Sequence, residues 1–320
     1  MKDMLVILVM FAAAIFALPL LGNFYGAAAE DGAEPASVHF PKTLRLYMTE
    51  RGETEEITAA EYIEGCLAAQ IQINCRPEAL KAQAAASATY ALRLMDELKG
   101  SDKLPEGADI SDDSRLCQPY MSETERADTY GTDYEKYRDN LQSAAQYGIS
   151  HIITYGGKPI YAVYHAVSAG GTCPSEYVWG QSLPYLRRAD SPADKNSLNF
   201  ECVNELKSEE IRVALAKYDK SIEIPVDPSK WFTDLIADEN GYVISVNIGK
   251  NTFSGGDLWR ILGLRSTAFT VSHTDGIFTF TTRGHGHGAG LSQYGADSLA
   301  AEGWTADKIL HHYYGDSVSF

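Results

Sequence analysis

The densest concentration of chemistry-bearing residues is the run Gly284-His285-Gly286-His287-Gly288-Ala289-Gly290-Leu291-Ser292-Gln293-Tyr294-Gly295-Ala296. In an extended segment alternate side chains point the same way, so His285 and His287 share a face. The intervening glycines allow close backbone approach. Ser292-Gln293 falls where a helix is expected to begin, and the free N–H groups of a helix start attract oxyanions. The same run also fits a glycine-rich turn that packs a strand against a helix. A second cluster is His165-Ala166-Val167-Ser168-Ala169-Gly170-Gly171-Thr172-Cys173, followed by Trp179-Gly180, Pro184-Tyr185-Leu186 and Asp190-Ser191-Pro192. Polar, glycine-bearing loops with aromatics nearby build carbohydrate or peptide clefts, although many are plain surface crossovers. The third cluster is Glu61-Tyr62-Ile63-Glu64-Gly65-Cys66-Leu67-Ala68-Ala69-Gln70, which a short bend joins to a segment opening at Pro77.

These clusters need elements to hold them. Thr43 to Met48 alternates apolar and polar residues and predicts a strand, with a turn at Arg51-Gly52-Glu53 and a returning strand to Thr58. Thr58 with Glu61 forms a capping-box pattern that opens a helix over Ala59 to Gln70. Pro77 suits the first turn of a second helix, which runs to about Lys99 and stops at Gly100. Residues 101–130 are polar and read as a long surface excursion. A short helix over Tyr134 to Tyr147 comes next, then strands at 151–155 and 159–164 around Gly156-Gly157, a hairpin signal. Ser208 is placed as the cap of a helix reaching Tyr218. Strands are expected at Val243 to Ile248, Thr267 to Val271 and Ile277 to Thr282, with a helix from about Ser254 to Leu262. Helices from Leu291 to Glu302 and from Thr305 to Tyr314 complete the pattern. Strands and helices mix without a regular βαβ alternation, so the fold class is α+β.

Composition narrows the function. The 320 residues carry a net charge of −16, which excludes the basic stripe of a nucleic-acid binder. Met4 to Gly22 contains no charge and is long enough for a membrane crossing. Residues 1–25 are therefore expected to be an N-terminal transmembrane anchor (or signal peptide, with Ala27-Ala28-Ala29 as a cleavage site), residues 26–40 a linker, and residues 41–320 the folded domain. This predicts a single-pass cell-membrane protein whose domain is extracytoplasmic. Five cysteines at 66, 75, 117, 173 and 202 include no C-x-x-C pair and indicate no disulfide framework.

Taken together the three clusters resemble the stage II sporulation protein D family, over about residues 42 to 318. The family pattern E-Y-(V/I)-x-G-x-x-A-A-E-M-P, then P-x-E-A-L-K-A-Q-A-V-A-A-R-T-Y-A, is matched by Glu61, Tyr62, Gly65, Ala68, Ala69, Glu78 to Ala84 and Thr89 to Ala91. The middle pattern is matched by His165, Gly170, Gly171, Thr172, Trp179, Gly180, Pro184 to Leu186 and Asp190 to Pro192. The final pattern, G-H-G-x-G-x-S-Q-Y-G-A, is matched by Gly286 to Ala296. The resemblance implies two lobes around a glycan-binding cleft and a lytic transglycosylase acting on denuded peptidoglycan strands during sporulation engulfment. No cofactor is expected. An amidase and a membrane adaptor of the engulfment machinery are the partners the resemblance suggests. One glutamate would protonate the glycosidic oxygen and then assist attack by the muramyl 6-hydroxyl.

The sequence departs from the family at that glutamate, whose position is taken by Gln70; Lys81 confirms the register. An amide keeps the shape of the acid but cannot exchange a proton near neutral pH. Ala88 replaces the family's arginine, and Ile71-Gln72 its Met-Pro. A zinc element found in some members, Cys-x-x-x-x-His-Cys before Gln, is reduced here to Cys117-Gln118, so no metal is expected. A weaker alternative would make His165, Cys173, His285 and His287 a metal set. The expected site is then Gln70 at the catalytic position, with His165, Ser168, Gly170, Gly171, Thr172, His287, Ser292, Gln293 and Tyr294 binding the glycan. The activity is expected to be impaired by Gln70. The alternative is a non-catalytic glycan-binding or scaffold protein.

Overall fold

The computed structural model describes residues 38–320. The expected membrane segment and nearly all of the linker lie outside the described residues. Among the described residues no helix is long and apolar enough to cross a membrane. The fold is α+β, as the mixed pattern predicts, and the chain divides into two compact units.

The first unit takes the chain up to Val163 together with Leu299–His312 and Asp316–Phe320. Thr43–Met48 and Glu53–Thr58 pair antiparallel from Thr43↔Thr58 to Met48↔Glu53. Alternation turns Leu44, Leu46 and Met48 inward. The chain passes directly into helix Ala59–Gln70, whose first turn is capped by Thr58 Oγ1 accepting the Glu61 N–H at 3.2 Å. Helix Pro77–Leu98 buries a run of alanines, including Ala82, Ala84, Ala85 and Ala88. Their small side chains let helix Thr132–Ser150 approach until a Cβ on Gly148 would lie 2.6 Å from the Ala84 carbonyl. The end of the chain returns to this unit: Thr154 and Ser319 exchange backbone bonds at 2.7 and 2.9 Å.

The second unit comprises Tyr164–Ser298 and Tyr313–Gly315. Ile277–Arg283 lies between Ala268–Thr274 and Glu201–Lys207, antiparallel to both. A second sheet orders Asn251–Phe253, Val243–Ile248 and Thr233–Ala237. Helices Ser208–Tyr218 and Gly255–Leu262 contribute to a core of Ile211, Leu215, Trp231, Leu258, Phe278 and Phe280.

Several expectations are corrected. Residues 101–130 are not simply a surface excursion. Ile110–Ser111 adds a buried parallel strand beside Leu46 and Tyr47, and Glu123–Tyr130 is a helix with Arg126 buried. A strand of two residues has no periodicity to reveal it. The Gly156-Gly157 hairpin is present but pairs only Thr154–Tyr155 with Lys158–Pro159. Tyr164–His165 instead runs parallel to Leu291–Ser292, so the last motif enters its helix, Gln293–Ala301, from a strand. Ser208 is the first residue of its helix rather than the cap: Lys207 precedes it with its N–H on Glu210, and the Ser208 hydroxyl donates to the Gly276 carbonyl.

Candidate functional site

Gln70 is the last residue of helix Ala59–Gln70 in the first unit. Its surroundings are set by the absent side chain at Gly65. A Cβ there would overlap the Tyr120 ring and lie 2.6 Å from the Met121 carbonyl, so the chain at 119–121 can cross the helix only over glycine. The Met121 N–H donates to Gly65 O at 3.2 Å. The crossing carries the Pro119 carbonyl to the Gln70 amide, whose Nε2 donates to Cys66 O at 3.0 Å and Pro119 O at 3.4 Å. Tyr130 donates its hydroxyl to Ala68 O at 2.6 Å beside them.

Neighbouring acids are engaged elsewhere. Glu64 is buried and accepts the Tyr134 hydroxyl at 2.9 Å, with the Arg126 guanidinium 3.6 Å away. Arg126 also reaches Tyr134 and, at 2.7 Å, the Met121 carbonyl. Glu78 bonds Lys81 at 2.7 Å and accepts the Ala306 N–H at 2.8 Å, capping helix Ala306–Tyr314. Partial burial opposes ionisation of Glu78, but the Lys81 ammonium and the Ala306 N–H outweigh it and hold the carboxyl below its ordinary range. The Cys117-Gln118 segment is fixed by hydrogen bonds: the Cys117 N–H to Asp113 O at 2.8 Å and Gln118 Nε2 to Ser87 O at 3.0 Å. Among the described residues no group of three or more His, Cys, Asp or Glu is arranged to hold a metal.

In the second unit the histidine motif is an irregular segment woven in by isolated bridges to Val167 and Ser266. Val167 and His285 exchange backbone bonds, and the Gly286 N–H donates to Arg265 O. Side chains at Gly284, Gly286 or Gly288 would enter Val167, His165 or Tyr242. Ala289 fixes both principal rings: its carbonyl accepts His165 Nδ1–H at 3.1 Å, and its N–H donates to His287 Nδ1 at 3.1 Å. The two imidazoles are therefore opposite tautomers, with centroids 5.8 Å apart. Burial, reinforced by the neighbouring His287, pushes His165 down to about 3; burial alone takes His287 down to about 4. Both are neutral at physiological pH. Trp179 and Trp259 flank His287 at 5.2 and 6.2 Å. His285, offset from this pair, is also pushed down, to about 4, by burial and by Arg265.

The remaining expected residues gather around the same weave. Thr172 Oγ1 donates to Arg187 O at 3.0 Å and accepts the Ala189 N–H at 2.8 Å. Gly171 bridges to Asp190. Ser168, Ser292 and Gln293 are buried, whereas Tyr294 is 36% exposed. The helix start is not an open oxyanion site. Its Tyr294 N–H donates to Ala166 O at 3.0 Å and its Gly295 N–H to Ser292 Oγ at 3.2 Å. Thus His165, Ser168, Gly170, Gly171, Thr172, His287, Ser292, Gln293 and Tyr294 share the second unit, while Gln70 belongs to the first. Sequence reasoning missed Asp194, a buried carboxylate that bonds both Ser168 and Ser292. Its only signal was its place just after Asp190-Ser191-Pro192.

An α+β protein with these motifs in this order belongs to the stage II sporulation protein D family. The family model described as Stage II sporulation protein matches residues 47–155. The chain is 33% identical over 293 residues to Stage II sporulation protein D of Bacillus subtilis (strain 168), covering 91% of this chain and 82% of that protein. It is 31% identical over 284 residues to Stage II sporulation protein D of Bacillus amyloliquefaciens, covering 88% and 80%. A more distant relative is the amidase enhancer of Bacillus subtilis (strain 168), 23% identical over 300 residues, or 79% of this chain and 39% of that protein.

Proposed function

We propose that this sporulation protein binds peptidoglycan strands stripped of their stem peptides, on the outer side of the cytoplasmic membrane to which residues 1–25 anchor it. Its chemistry is that of a lytic transglycosylase lacking its acid. The observation that carries this reading is the Gln70 amide, held as a donor to the Cys66 and Pro119 carbonyls. A carboxyl group in the same place could donate to one of those carbonyls, and only in its protonated form. That is the form a general acid must take, and carbonyl neighbours favour it. Glutamine satisfies the carbonyls permanently and has no proton to transfer. Glu64 and Glu78 are held by other partners, which supports the view that neither replaces it. The glycan contacts are assigned to His165, Ser168, Gly170, Gly171, Thr172, His287, Ser292, Gln293 and Tyr294, with the buried members shaping the loop behind exposed Tyr294. An amidase acting on the same wall fits as a partner, since a relative is named an amidase enhancer.

The test is to incubate the protein and its Gln70→Glu variant with denuded strands. Both should bind. The variant should release 1,6-anhydro ends faster by about 10²–10⁴, the worth of a placed acid. Equal rates would refute the role of position 70, and absence of binding would refute the glycan assignment.

A further inference from the structure

Asp194 joins the motif loops of the second unit. It is fully buried, in the short helical turn Pro192–Asn196. Its Oδ2 accepts the Ser168 N–H at 2.7 Å and the Ser292 hydroxyl at 2.7 Å. Ser292 Oγ accepts the Gly295 N–H in turn, the bond a capping residue makes to the third position of its helix. Asp194 Oδ1 faces Gly295. A Cβ there would lie 2.9 Å from it and collide with the hydroxyls of Ser191 and Tyr313. Those hydroxyls bond each other at 2.9 Å. The loop is closed by the Ser191 N–H on Gly170 O at 3.2 Å and the Gly170 N–H on Ser168 Oγ at 3.2 Å. One carboxylate therefore ties together 168–171, 190–194 and 292–295, segments far apart in the sequence.

This junction is costly. Burial pushes the Asp194 carboxyl above its ordinary range, and the groups that oppose the shift are those of Ser168, Ser292 and Ser191, with no cation among them. The aromatic side chain that the three segments offer to solvent is Tyr294, exposed as Asp190 and Pro192 are, and its backbone is held by Ala166 on one side and comes shortly after Ser292 on the other. An aromatic ring on so fixed a backbone suits stacking on the apolar face of a sugar.

We infer that Asp194 is a positioning residue: by joining Ser168 to Ser292 it fixes the start of helix Gln293–Ala301, and with it the orientation in which Tyr294 meets a saccharide. The ligand rests on the glycan reading above, whereas the junction does not.

Two measurements on the full chain test it. In amide hydrogen exchange without ligand, Asp194→Ala should lose about tenfold or more of the protection at Ser168 and Gly295, while Ile277–Arg283 keeps its own. Asp194→Asn, whose side-chain oxygen can accept both bonds, should restore it. In binding to denuded glycan strands, Asp194→Ala and Tyr294→Ala should each weaken affinity about tenfold, and the double variant little more than either. Asp194→Asn should again restore binding. Should Asp194→Ala not fold, Ser292→Ala removes one arm of the junction and should lower protection at Gly295 and weaken glycan binding about tenfold, while Ser168 keeps its bond to Asp194 and its protection. Unchanged exchange at Ser168 and Gly295, or fully additive losses in the double variant, would overturn the positioning role. Exchange that changes as expected in a protein that binds no glycan would instead overturn the ligand and leave the junction standing.

Discussion

Replacing Gly65 with Ala tests whether the segment crossing helix Ala59–Gln70 holds position 70 in place. The added Cβ would overlap the Tyr120 ring and lie 2.6 Å from the Met121 carbonyl, where ordinary contact begins at 3.4 Å. The segment must therefore retreat by about 1 Å, which a close-packed interior resists. Tyr120 is not free to swing. It stacks on buried Tyr62, with centroids 5.9 Å and planes 10° apart. Retreat stretches the Met121 N–H to Gly65 O bond and draws the Pro119 carbonyl from the Gln70 amide. Overpacking costs about 1–3 kcal/mol and a lost hydrogen bond about 1 kcal/mol, while alanine regains about 1 kcal/mol of helix propensity. The net loss expected is about 1–3 kcal/mol, read as a lower urea midpoint at unchanged slope. Gly52→Ala is the control. Its φ of +67° strains any side chain, but nothing lies within 4 Å. It should report left-handed backbone strain alone, which helical Gly65 does not carry, while Gly65→Ala should loosen the contacts of Gln70, visible as a shift of its side-chain amide resonances. Unmoved Gln70 resonances together with wild-type stability for Gly65→Ala would show that the crossing does not set the environment of position 70.

Further outcomes concern the buried charges and rings. Arg126→Met strands Glu64 in the interior and should cost about 3–5 kcal/mol in denaturant unfolding, much of it recovered when Glu64→Gln is added. His165 and His287 have folded values near 3 and 4, below their unfolded values. Between those values and about 6.5 the unfolded chain binds protons that the folded chain does not, so the thermal midpoint should fall as pH drops through that window. Both imidazoles should stay neutral in nuclear magnetic resonance spectra at pH 5. In Gln70→Glu the carbonyl neighbours should raise the new carboxyl, so cleavage should persist to higher pH than an ordinary glutamate allows and then fall as the acid ionises; a profile with no such descending limb would contradict the assignment.

The sequence was legible where a local rule decides structure. Thr43–Met48 alternates, Thr58 can cap only the helix on its C-terminal side, and Pro77 fits only a first turn; strand, cap and helix start stand as read, although Glu61 does not return the second bond of a capping box. The clusters of the second unit were legible through their motifs, and they do share one unit. The contacts that complete them were not. The bond from Asp194 to Ser292 spans 98 positions and that from Glu78 to Ala306 spans 228, and neither pattern nor spacing encodes such partners. Ile110–Ser111 is defined by its neighbour rather than by its own residues. The expected oxyanion site at Ser292-Gln293 failed for a related reason. A helix start looks open in a sequence, and only the fold reveals that Ala166 and Ser292 already occupy it.

The return of Ser319 to Thr154 and of Ala306 to Glu78 governs how the protein can be born. Most of the second unit, Tyr164–Ser298, comes between the opening stretch of the first and its returning segments Leu299–His312 and Asp316–Phe320. A nascent chain leaving the ribosome therefore offers the helices of the first unit long before their closing partners exist. The inserted unit can finish folding its sheets while the first still has an exposed seam. Completion of the first unit must await almost the whole polypeptide.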